Sequence, residues 1–220
     1  MPSALVTGGS SGIGLAIAAM LRDEGYELTL AARRLDRLES AASELGATAV
    51  TADVQEEGDC ERLVHEHLEA HGGLDVLVNS AGVGIAGRIG DLQTKHFDLQ
   101  QSVNLRGAFL VTRAALPALR TAKGFVVNLA SIAGTVPTPG LAAYGAAKAA
   151  LIALTRSLDR EEAETGVRVT ALCPGFVDTP MASWTGMASE ELIQPADCAE
   201  LVRALLRLSP AARVLSLIHI

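Results

Sequence analysis

The sequence predicts an α/β domain of three layers, in which a doubly wound, mostly parallel sheet carries helices on both faces. Short apolar runs, typical of buried strands, alternate with longer segments of helical periodicity along the whole chain. This alternation implies right-handed βαβ crossovers, which make neighbouring strands parallel and cover both faces of the sheet. The 220 residues contain no linker, repeat or low-complexity tract, so we expect one domain.

Bulk composition argues against several classes of protein. A net charge of −7 and the lack of a basic run disfavour a nucleic-acid surface. Cys60, Cys173 and Cys198 show no CxxC spacing, which favours a reducing compartment over a disulfide framework. There is no signal-peptide pattern at residues 1–3, and no apolar run is long enough to span a bilayer. We therefore expect a cytoplasmic protein.

A glycine-rich loop separates the first strand, residues 4–6, from a helical pattern over residues 15–22. Glycines let the backbone turn tightly and approach a pyrophosphate at the helix N-terminus. Their spacing is GxxxGxG rather than the commoner GxGxxG, but strand, loop and helix follow the order of a Rossmann-type dinucleotide site. The predicted cofactor contacts in this loop are Gly8, Ser10, Ser11, Gly12, Ile13 and Gly14.

The end of the second strand, predicted over residues 27–32, bears on cofactor choice. An acidic residue here binds a ribose 2′-hydroxyl, whereas a basic one accommodates a 2′-phosphate. Ala32 occupies the acidic position, and Arg33 and Arg34 follow it. The arginines favour NADP(H), while NAD(H) stays possible. Alternatively, they are only solvated residues at the start of the next helix, predicted over residues 35–45.

The third strand, residues 47–52, ends at Asp53 and Val54, which we also predict to contact the cofactor. Asp53 is placed either to meet an adenine edge or to cap the next helix. That helix, residues 57–71, carries three histidines, two of them four residues apart. An HExxH motif is absent, so we interpret them as residues of a solvated face and predict no metal site. The histidines are His65, His67 and His71.

The fourth strand, residues 74–78, runs into a short polar turn that we expect at the cofactor. After a loop to about residue 90, a long helical region extends to residue 122 and contains Asn104. Pro117 near its end predicts a kink or a late turn. The predicted contacts in the turn are Asn79, Ala81 and Gly82.

The fifth strand, residues 124–129, is followed by Ser131 and then by a helix that runs to about residue 164. The sixth strand, residues 167–172, precedes a segment expected to line the cofactor pocket. A short region, residues 181–194, leads to the last helix, residues 195–208. The predicted contacts after the sixth strand are Pro174, Gly175, Val177 and Thr179.

Tyr144 and Lys148 lie four residues apart in an alanine-rich run, so they share one helix face. A free phenol titrates near pH 10 and is a poor acid–base catalyst at neutral pH. A nearby ammonium favours the phenolate and lowers its pKa. With Ser131 at a strand's carboxyl end and a nucleotide loop elsewhere, the pair would assemble a hydride-transfer site.

Together these motifs, over roughly residues 2–213, make the chain resemble the short-chain dehydrogenase/reductase family in its compact single-domain branch. Each motif is weak alone, but their order and approximate spacing are highly specific. Ser80 departs from the pattern, because the family more often has a second asparagine there. The motifs are Thr7-Gly8-x-x-x-Gly12-Ile13-Gly14, Asn79-x-Ala81-Gly82, Asn104, Ser131, Tyr144-x-x-x-Lys148, and Pro174-Gly175 with Thr179.

The resemblance implies roles for four residues. Tyr144 would be the acid–base group, and Ser131 would hydrogen-bond the reacting oxygen. Lys148 would bind the nicotinamide ribose and lower the Tyr144 pKa, while Asn104 would hold a water in a proton relay. Tyr144 and Lys148 would thus also contact the cofactor. Arg33 matches an NADP-selecting position of the family, although the second basic position is Ser11 here.

The implied reaction is an NADP-dependent interconversion of a carbonyl compound and a secondary alcohol. A non-catalytic dinucleotide-binding regulator is the alternative, but such proteins commonly lose the tyrosine or lysine. A sugar-nucleotide epimerase or dehydratase would need a larger C-terminal substrate region. Met181 and Trp184 would either give the substrate apolar contact or pack the lid.

The family normally continues into a seventh strand and a tail. Here we predict a domain over residues 1–214, followed by a non-native hexapeptide, residues 215–220, which resembles a translated sequencing adapter. The sheet edge would then be incomplete, although the apolar hexapeptide could mimic a strand. The family's dimer pairs the helices around residues 104–122 and 144–164, which are intact, so we expect a homodimer and no tetramer.

Overall fold

The computed structural model describes residues 1–218, apart from the side chain of Trp184. No helix in this part of the chain is both long and apolar enough to cross a membrane. The strands are β1 (Ser3–Thr7), β2 (Glu27–Ala32), β3 (Thr48–Thr51), β4 (Val76–Asn79), β5 (Phe125–Leu129), β6 (Arg168–Cys173) and β7 (Ser216–Ile218). The α-helices are α1 (Gly12–Asp23), α2 (Leu35–Leu45), α3 (Glu57–His71), α4 (Thr94–Gln101), α5 (Ala108–Ala122), α6 (Ala142–Glu161) and α7 (Pro195–Leu206).

The strands form one sheet in the order β3-β2-β1-β4-β5-β6-β7, and every neighbouring pair is parallel. The chain moves outward from β1 in one direction and returns to start β4 on its other side. Strand order therefore reverses between β1 and β4, and a crevice opens at their carboxyl ends. The predicted Rossmann-type, doubly wound fold is confirmed.

Helices cover both faces of the sheet and bury its apolar side chains. On one face, α1, α2 and α7 contribute Ile17, Leu38 and Val202, which are completely buried. On the other face, α3 and α5 contribute Leu63 and Val111, also completely buried. Each such side chain stabilises the fold by about 1.5–3 kcal/mol, so the two cores hold the carboxyl ends of the strands in fixed positions.

The largest difference from the predicted elements lies in the long helical region. It begins at Thr94 rather than near residue 90, and a π-helical turn, Ser102–Gly107, separates α4 from α5. Pro117 lies inside α5 and does not end it. A π turn is invisible to hydrophobic periodicity, because it adds a residue to one turn without changing which residues are apolar.

The C-terminal edge of the sheet is formed rather than missing. β7 pairs in parallel with β6, with Leu217 opposite Leu172. The segment before it is held by Thr170, whose hydroxyl donates to the Val214 carbonyl at 2.6 Å. The non-native origin of residues 215–220 stays a prediction, and residues 219 and 220 lie outside the described part of the chain.

Candidate active site

A cleft of about 510 Å³ opens at the carboxyl ends of β4, β5 and β6, beside the start of α1. Ser131, Tyr144 and Lys148 line it together. Strand order brings them there: Ser131 follows β5, and α6 begins just before Tyr144. Other predicted contacts on its wall are Ile13, Gly82, Pro174, Gly175, Val177 and Thr179.

The glycine loop fits tightly against the turn after β4. Gly8 has φ +66°, and a Cβ there would lie 2.8 Å from the Ala81 main-chain nitrogen. A Cβ on Gly14 would lie 2.5 Å from the Gly8 carbonyl oxygen and 2.9 Å from Ser80 Oγ. Larger side chains would push the two loops apart, so the predicted contacts of both motifs meet at one place.

The start of α1 has the features of a dinucleotide cradle. Ser11 is the N-cap, yet its side chain makes no capping hydrogen bond, which leaves the first main-chain N–H groups available to an anion. Gly12 has φ +56°, and a Cβ there would fill the space beside Thr179, 3.1 Å from its Cγ2. The residues present therefore fit the pyrophosphate of a nicotinamide dinucleotide.

Arg33 and Arg34 are exposed at the end of β2, close to the glycine loop, whose Gly8 N–H donates to the Ala31 carbonyl at 2.8 Å. Neither arginine side chain has an ion-pair or hydrogen-bond partner among residues 1–218. Both guanidinium groups are thus available to a phosphate.

Asp53 does not cap α3, whose N-cap is Glu56. Its carboxylate accepts from the main-chain N–H and the side-chain amide of Gln55, at 3.1 and 3.2 Å, and so closes the turn after β3. Val54 is buried against the π turn, where a Cβ on Gly107 would lie 2.7 Å from its Cγ2. Of the two roles considered for Asp53, the adenine contact stays a prediction.

Asn104 lies in the π turn and holds the loop after β4. Its Oδ1 accepts from the Val83 N–H at 2.9 Å, and its Nδ2 donates to the Val83 carbonyl at 2.8 Å. A Cβ on Gly82 would lie 3.1 Å from this Oδ1 and 3.8 Å from Lys148 Nζ. Asn104 therefore lies directly behind the cleft, and its role in a water relay stays a prediction.

Two glycines that the sequence analysis did not single out lock the Ser131 turn onto α6. A Cβ on Gly134 would lie 2.7 Å from the Lys148 carbonyl carbon, and one on Gly145 would lie 2.7 Å from the Ala133 carbonyl oxygen. Gly145 is an isolated glycine in an alanine-rich helix, a position that costs helix stability and so indicates a packing reason. This contact brings Ser131 to Tyr144.

The neighbouring Ser131 side chain lowers the pKa of the Tyr144 hydroxyl, but burial has the larger effect and raises this pKa above its ordinary value of 10. Desolvation disfavours the phenolate more than one hydroxyl stabilises it. The expectation that Lys148 would set a lowered Tyr144 pKa is therefore wrong for the protein alone. The Lys148 Nζ lies 5.6 Å from the centre of the Tyr144 ring.

Lys148 is buried and donates to the Leu129 main-chain carbonyl at 2.6 Å. Burial lowers its pKa to about 8, because the ammonium loses its hydration. The buried Cys173 next to it opposes this shift. Lys148 is thus tied to the end of β5 and shares the cleft with Tyr144.

Asn79 was predicted to contact the cofactor, but its side chain points into the interior. Its Nδ2 donates to Thr112 Oγ1 and to Asn128 Oδ1, both at 2.9 Å, and Asn128 in turn donates to Thr155. This buried network ties β4 and β5 to the helices beneath them. Asn79 is the last residue of β4 and directly precedes the turn at the cleft, but its position in the sequence did not indicate that its side chain faces the protein interior.

The segment after β6 forms the lid side of the cleft. Phe176 and Asp178 pair with Ile193 through main-chain hydrogen bonds of 3.0 and 2.8 Å. A 3₁₀ helix, Pro180–Thr185, follows and carries Met181 into the cleft wall. The side chain of Trp184 lies outside the described part of the structure, so its predicted role stays open.

The prediction that the histidines of α3 are solvated is wrong for His67. This side chain is completely buried, its Nδ1 lies 2.9 Å from Thr29 Oγ1, and its ring centre is 4.9 Å from that of His71. Burial lowers its pKa to about 4, and His71 adds to this effect. His65 does lie on the exposed face, paired with Glu69.

Comparison with known proteins agrees with this fold and site. A family model described as short chain dehydrogenase matches residues 2–188. The chain is 39% identical over 202 residues to an uncharacterized oxidoreductase of Staphylococcus epidermidis, covering 90% of this chain and 88% of that protein.

Solved structures extend the likeness to cofactor complexes. An alcohol dehydrogenase from the archaeon Thermococcus sibiricus, complexed with 5-hydroxy-NADP, superposes with a TM-score of 0.92 at 35% identity, over 99% of this chain and 95% of that one. A 3-ketoacyl-(acyl-carrier-protein) reductase from Brucella melitensis, complexed with NADH, superposes with a TM-score of 0.93 at 29% identity, over 100% and 96%.

The protein is an NAD(P)-dependent dehydrogenase or reductase, as defined by its Rossmann-type sheet, the glycine loop before α1 and the cleft at the carboxyl ends of the strands. The chain belongs to the short-chain dehydrogenase family.

Proposed function

We propose that this enzyme interconverts a carbonyl compound and a secondary alcohol with NADP(H), and that Tyr144 is its general acid and base. The observation that carries the proposal is that Ser131, Tyr144 and Lys148 together line the same cleft. Membership of a family of oxidoreductases favours this reading over a non-catalytic regulator.

The nicotinamide dinucleotide, when bound, supplies the hydride for reduction and accepts it in oxidation. Tyr144 donates its hydroxyl proton to the carbonyl oxygen during reduction, and its phenolate accepts the alcohol proton in the reverse direction. Ser131 holds the same oxygen by a hydrogen bond. Because burial raises the Tyr144 pKa, the tyrosine is protonated at neutral pH, which suits reduction.

Lys148 has two tasks in this proposal. Its ammonium places positive charge behind the tyrosine, which stabilises phenolate whenever the proton leaves. It would also bind the nicotinamide ribose. The 2.6 Å hydrogen bond to Leu129 keeps the long side chain in one orientation, so little conformational freedom is left to lose when the cofactor binds.

NADP(H) is proposed over NAD(H) on the two unpaired arginines. Arg33 and Arg34 are exposed after β2. Ala32, at the position where an acidic residue would bind a ribose 2′-hydroxyl, carries no charge. A carboxylate there would repel a 2′-phosphate, whereas guanidinium groups bind phosphate with two parallel hydrogen bonds. One of the two solved relatives is complexed with 5-hydroxy-NADP and the other with NADH, so they do not distinguish between the two cofactors. The preference for NADP(H) is therefore proposed from the arginines.

The proposed function is tested by comparing Tyr144→Phe with the wild type. We expect turnover of ketones with NADPH to fall about 10²- to 10⁴-fold, as for loss of a general acid. NADPH binding, followed by nicotinamide fluorescence, should stay within a few-fold. Tyr26→Phe is the matched control, because the chain has two tyrosines and Tyr26 lies at the amino end of β2, away from the cleft. Wild-type turnover in Tyr144→Phe would contradict the proposal.

We also propose a homodimer formed through the helices around residues 104–122 and 144–164, which correspond to α5 with the π turn before it and to α6. Phe109 on α5 is exposed and lies under the Arg113 guanidinium, 5.5 Å from ring centre to Cζ, which leaves an aromatic face available to a second copy. Sedimentation of the wild type and of Phe109→Glu tests this: the wild type should be dimeric and the variant monomeric.

A cytoplasmic location is proposed from the cysteines. Cys60, Cys173 and Cys198 are all buried and form no disulfide. Three buried thiols fit a reducing compartment.

A further inference from the structure

The substrate end of the cleft carries almost no charge. Among the described residues that line it, Lys148 is the only one with a formal charge, and its ammonium is buried and bonded to Leu129. The remaining walls are built from aliphatic, aromatic and small side chains. The apolar members on the substrate side include Ile85, Ala86, Leu141, Phe176, Met181 and Ala182.

The half-exposed side chain of Met181 extends from the lid segment to Gly84 in the loop after β4. Its Sδ and Cγ lie 3.5 and 3.8 Å from the point where a Cβ on Gly84 would be. Tyr144 Cδ2 lies 3.8 Å from that same point. The thioether, the Tyr144 ring and the bare backbone of Gly84 therefore meet at one place.

The wall opposite Met181 is fixed by main-chain hydrogen bonds. The Ile85 N–H donates to the buried Gln100 side chain at 3.0 Å, and the Gly87 N–H donates to the Gly140 carbonyl at 2.8 Å. The second bond ties the loop after β4 to the loop that carries Leu141. Ile85, Leu141 and Met181 thus border an apolar slot, which leads from the mouth of the cleft to Tyr144.

We propose that this slot selects neutral carbonyl compounds with an extended apolar substituent, and that Met181 and Gly84 determine which substituents fit beside Tyr144. The inference rests on the proposed function and names its substrate class. A carboxylate or phosphate in the slot would lose its hydration without meeting a free cation, which is costly. Each methylene that enters gains about 0.8 kcal/mol.

The first test compares neutral methyl ketones of increasing length, from butan-2-one to octan-2-one, with 7-oxooctanoate, which is octan-2-one with a terminal carboxylate. We expect kcat/KM with NADPH to rise about three- to fourfold per methylene until the slot is filled. We expect 7-oxooctanoate to be at least tenfold poorer than octan-2-one. Equal values along the series, or a preference for the keto acid, would overturn the inference.

The second test changes the slot itself. Gly84→Val places a side chain between Met181 and Tyr144, and should lower kcat/KM for octan-2-one about tenfold more than for butan-2-one. Met181→Ala should flatten the dependence on chain length. Met187→Ala is the control, because Met187 is a half-exposed lid methionine that lines a separate hollow. A Met181→Ala profile that matches Met187→Ala would contradict the role of Met181.

Binding without turnover separates this inference from the proposed function. Calorimetry on the wild type with oxidised NADP measures the affinity for each ketone, since no hydride is available. Tighter binding of octan-2-one than of butan-2-one supports the slot even if turnover were to fail. Equal or weaker binding overturns the slot, whereas wild-type turnover in Tyr144→Phe overturns only the proposed chemistry.

Discussion

The ammonium nitrogen of Lys148 donates to the main-chain carbonyl of Leu129 at 2.6 Å, and the side chain of Lys148 is buried. The fold thus keeps a cation buried at the end of β5, although burial lowers its pKa to about 8. A difference of 2.5 from the ordinary 10.5 corresponds to about 3 kcal/mol of lost stability at neutral pH.

Lys148→Met should therefore make the cofactor-free protein more stable at pH 7 while abolishing turnover. The gain should be about 1–2 kcal/mol, because the Leu129 carbonyl loses its partner. Between pH 8 and 10.5 the unfolded lysine holds its proton longer than the folded one, so wild-type stability recovers as the pH rises. Urea unfolding at pH 7 and pH 10 should show that the stability advantage of Lys148→Met over the wild type shrinks as the pH rises. A variant that is less stable than the wild type at pH 7 would contradict the prediction.

Gly145→Ala should separate Ser131 from Tyr144, since the new Cβ would lie 2.7 Å from the Ala133 carbonyl oxygen. We expect kcat to fall about 10- to 100-fold and stability to fall by about 1–3 kcal/mol. Gly58→Ala on α3 is the matched control, because nothing lies within 4 Å of its Cβ position. It should leave kcat unchanged and stabilise by up to about 1 kcal/mol. Equal kinetics for both variants would show that the contact does not position Ser131.

His67 should make the fold sensitive to acid. Its pKa is about 4 in the folded protein and 6.5 in the unfolded chain, so its stability contribution is complete above pH 6.5 and falls as the pH drops to 4. The loss amounts to about 3 kcal/mol. His67→Phe should remove this part of the pH dependence of unfolding, whereas His65→Gln, on the exposed face, should not. An unchanged pH slope in His67→Phe would contradict the prediction.

The double variant Arg33→Ala/Arg34→Ala should bind NADPH roughly 10- to 100-fold more weakly, because the 2′-phosphate loses charged partners. NADH binding should be unaffected. Nicotinamide fluorescence titrations give both dissociation constants, and Arg160→Ala on α6 controls for the loss of one exposed arginine elsewhere on the surface. If both cofactors weakened equally, the arginines would not choose between them.

Arg213→Ala should destabilise the fold by about 3 kcal/mol. Its guanidinium contacts both carboxylate oxygens of the buried Asp159, at 2.9 and 3.0 Å, and also the Val167 carbonyl. Removing it leaves a buried charge without its partner. Arg22→Ala, which breaks an exposed pair with Asp23, should cost less than about 1 kcal/mol in the same chemical denaturation experiment. Similar losses would mean that Asp159 finds another partner.

The sequence by itself determined the fold class, the positions of most strands and helices, and the residues that meet in the cleft. Strands and helices are local, and their apolar periodicity shows in the chain, as for α2 and α3, whose bounds agree with the predicted ones. The short motifs also place Ser131, Tyr144 and Lys148 at strand ends and helix starts, which in a parallel sheet share one edge.

Tertiary structure decided how those residues are bonded. The inward amide of Asn79, the burial of His67, the Leu129 carbonyl beneath Lys148 and the reach of Met181 to Gly84 all join residues far apart in the chain. Periodicity reports which face of its own element a residue occupies, but not which neighbour the strand order brings to it. Burial and hydrogen bonding, which set each pKa and the shape of the slot, depend on that neighbour.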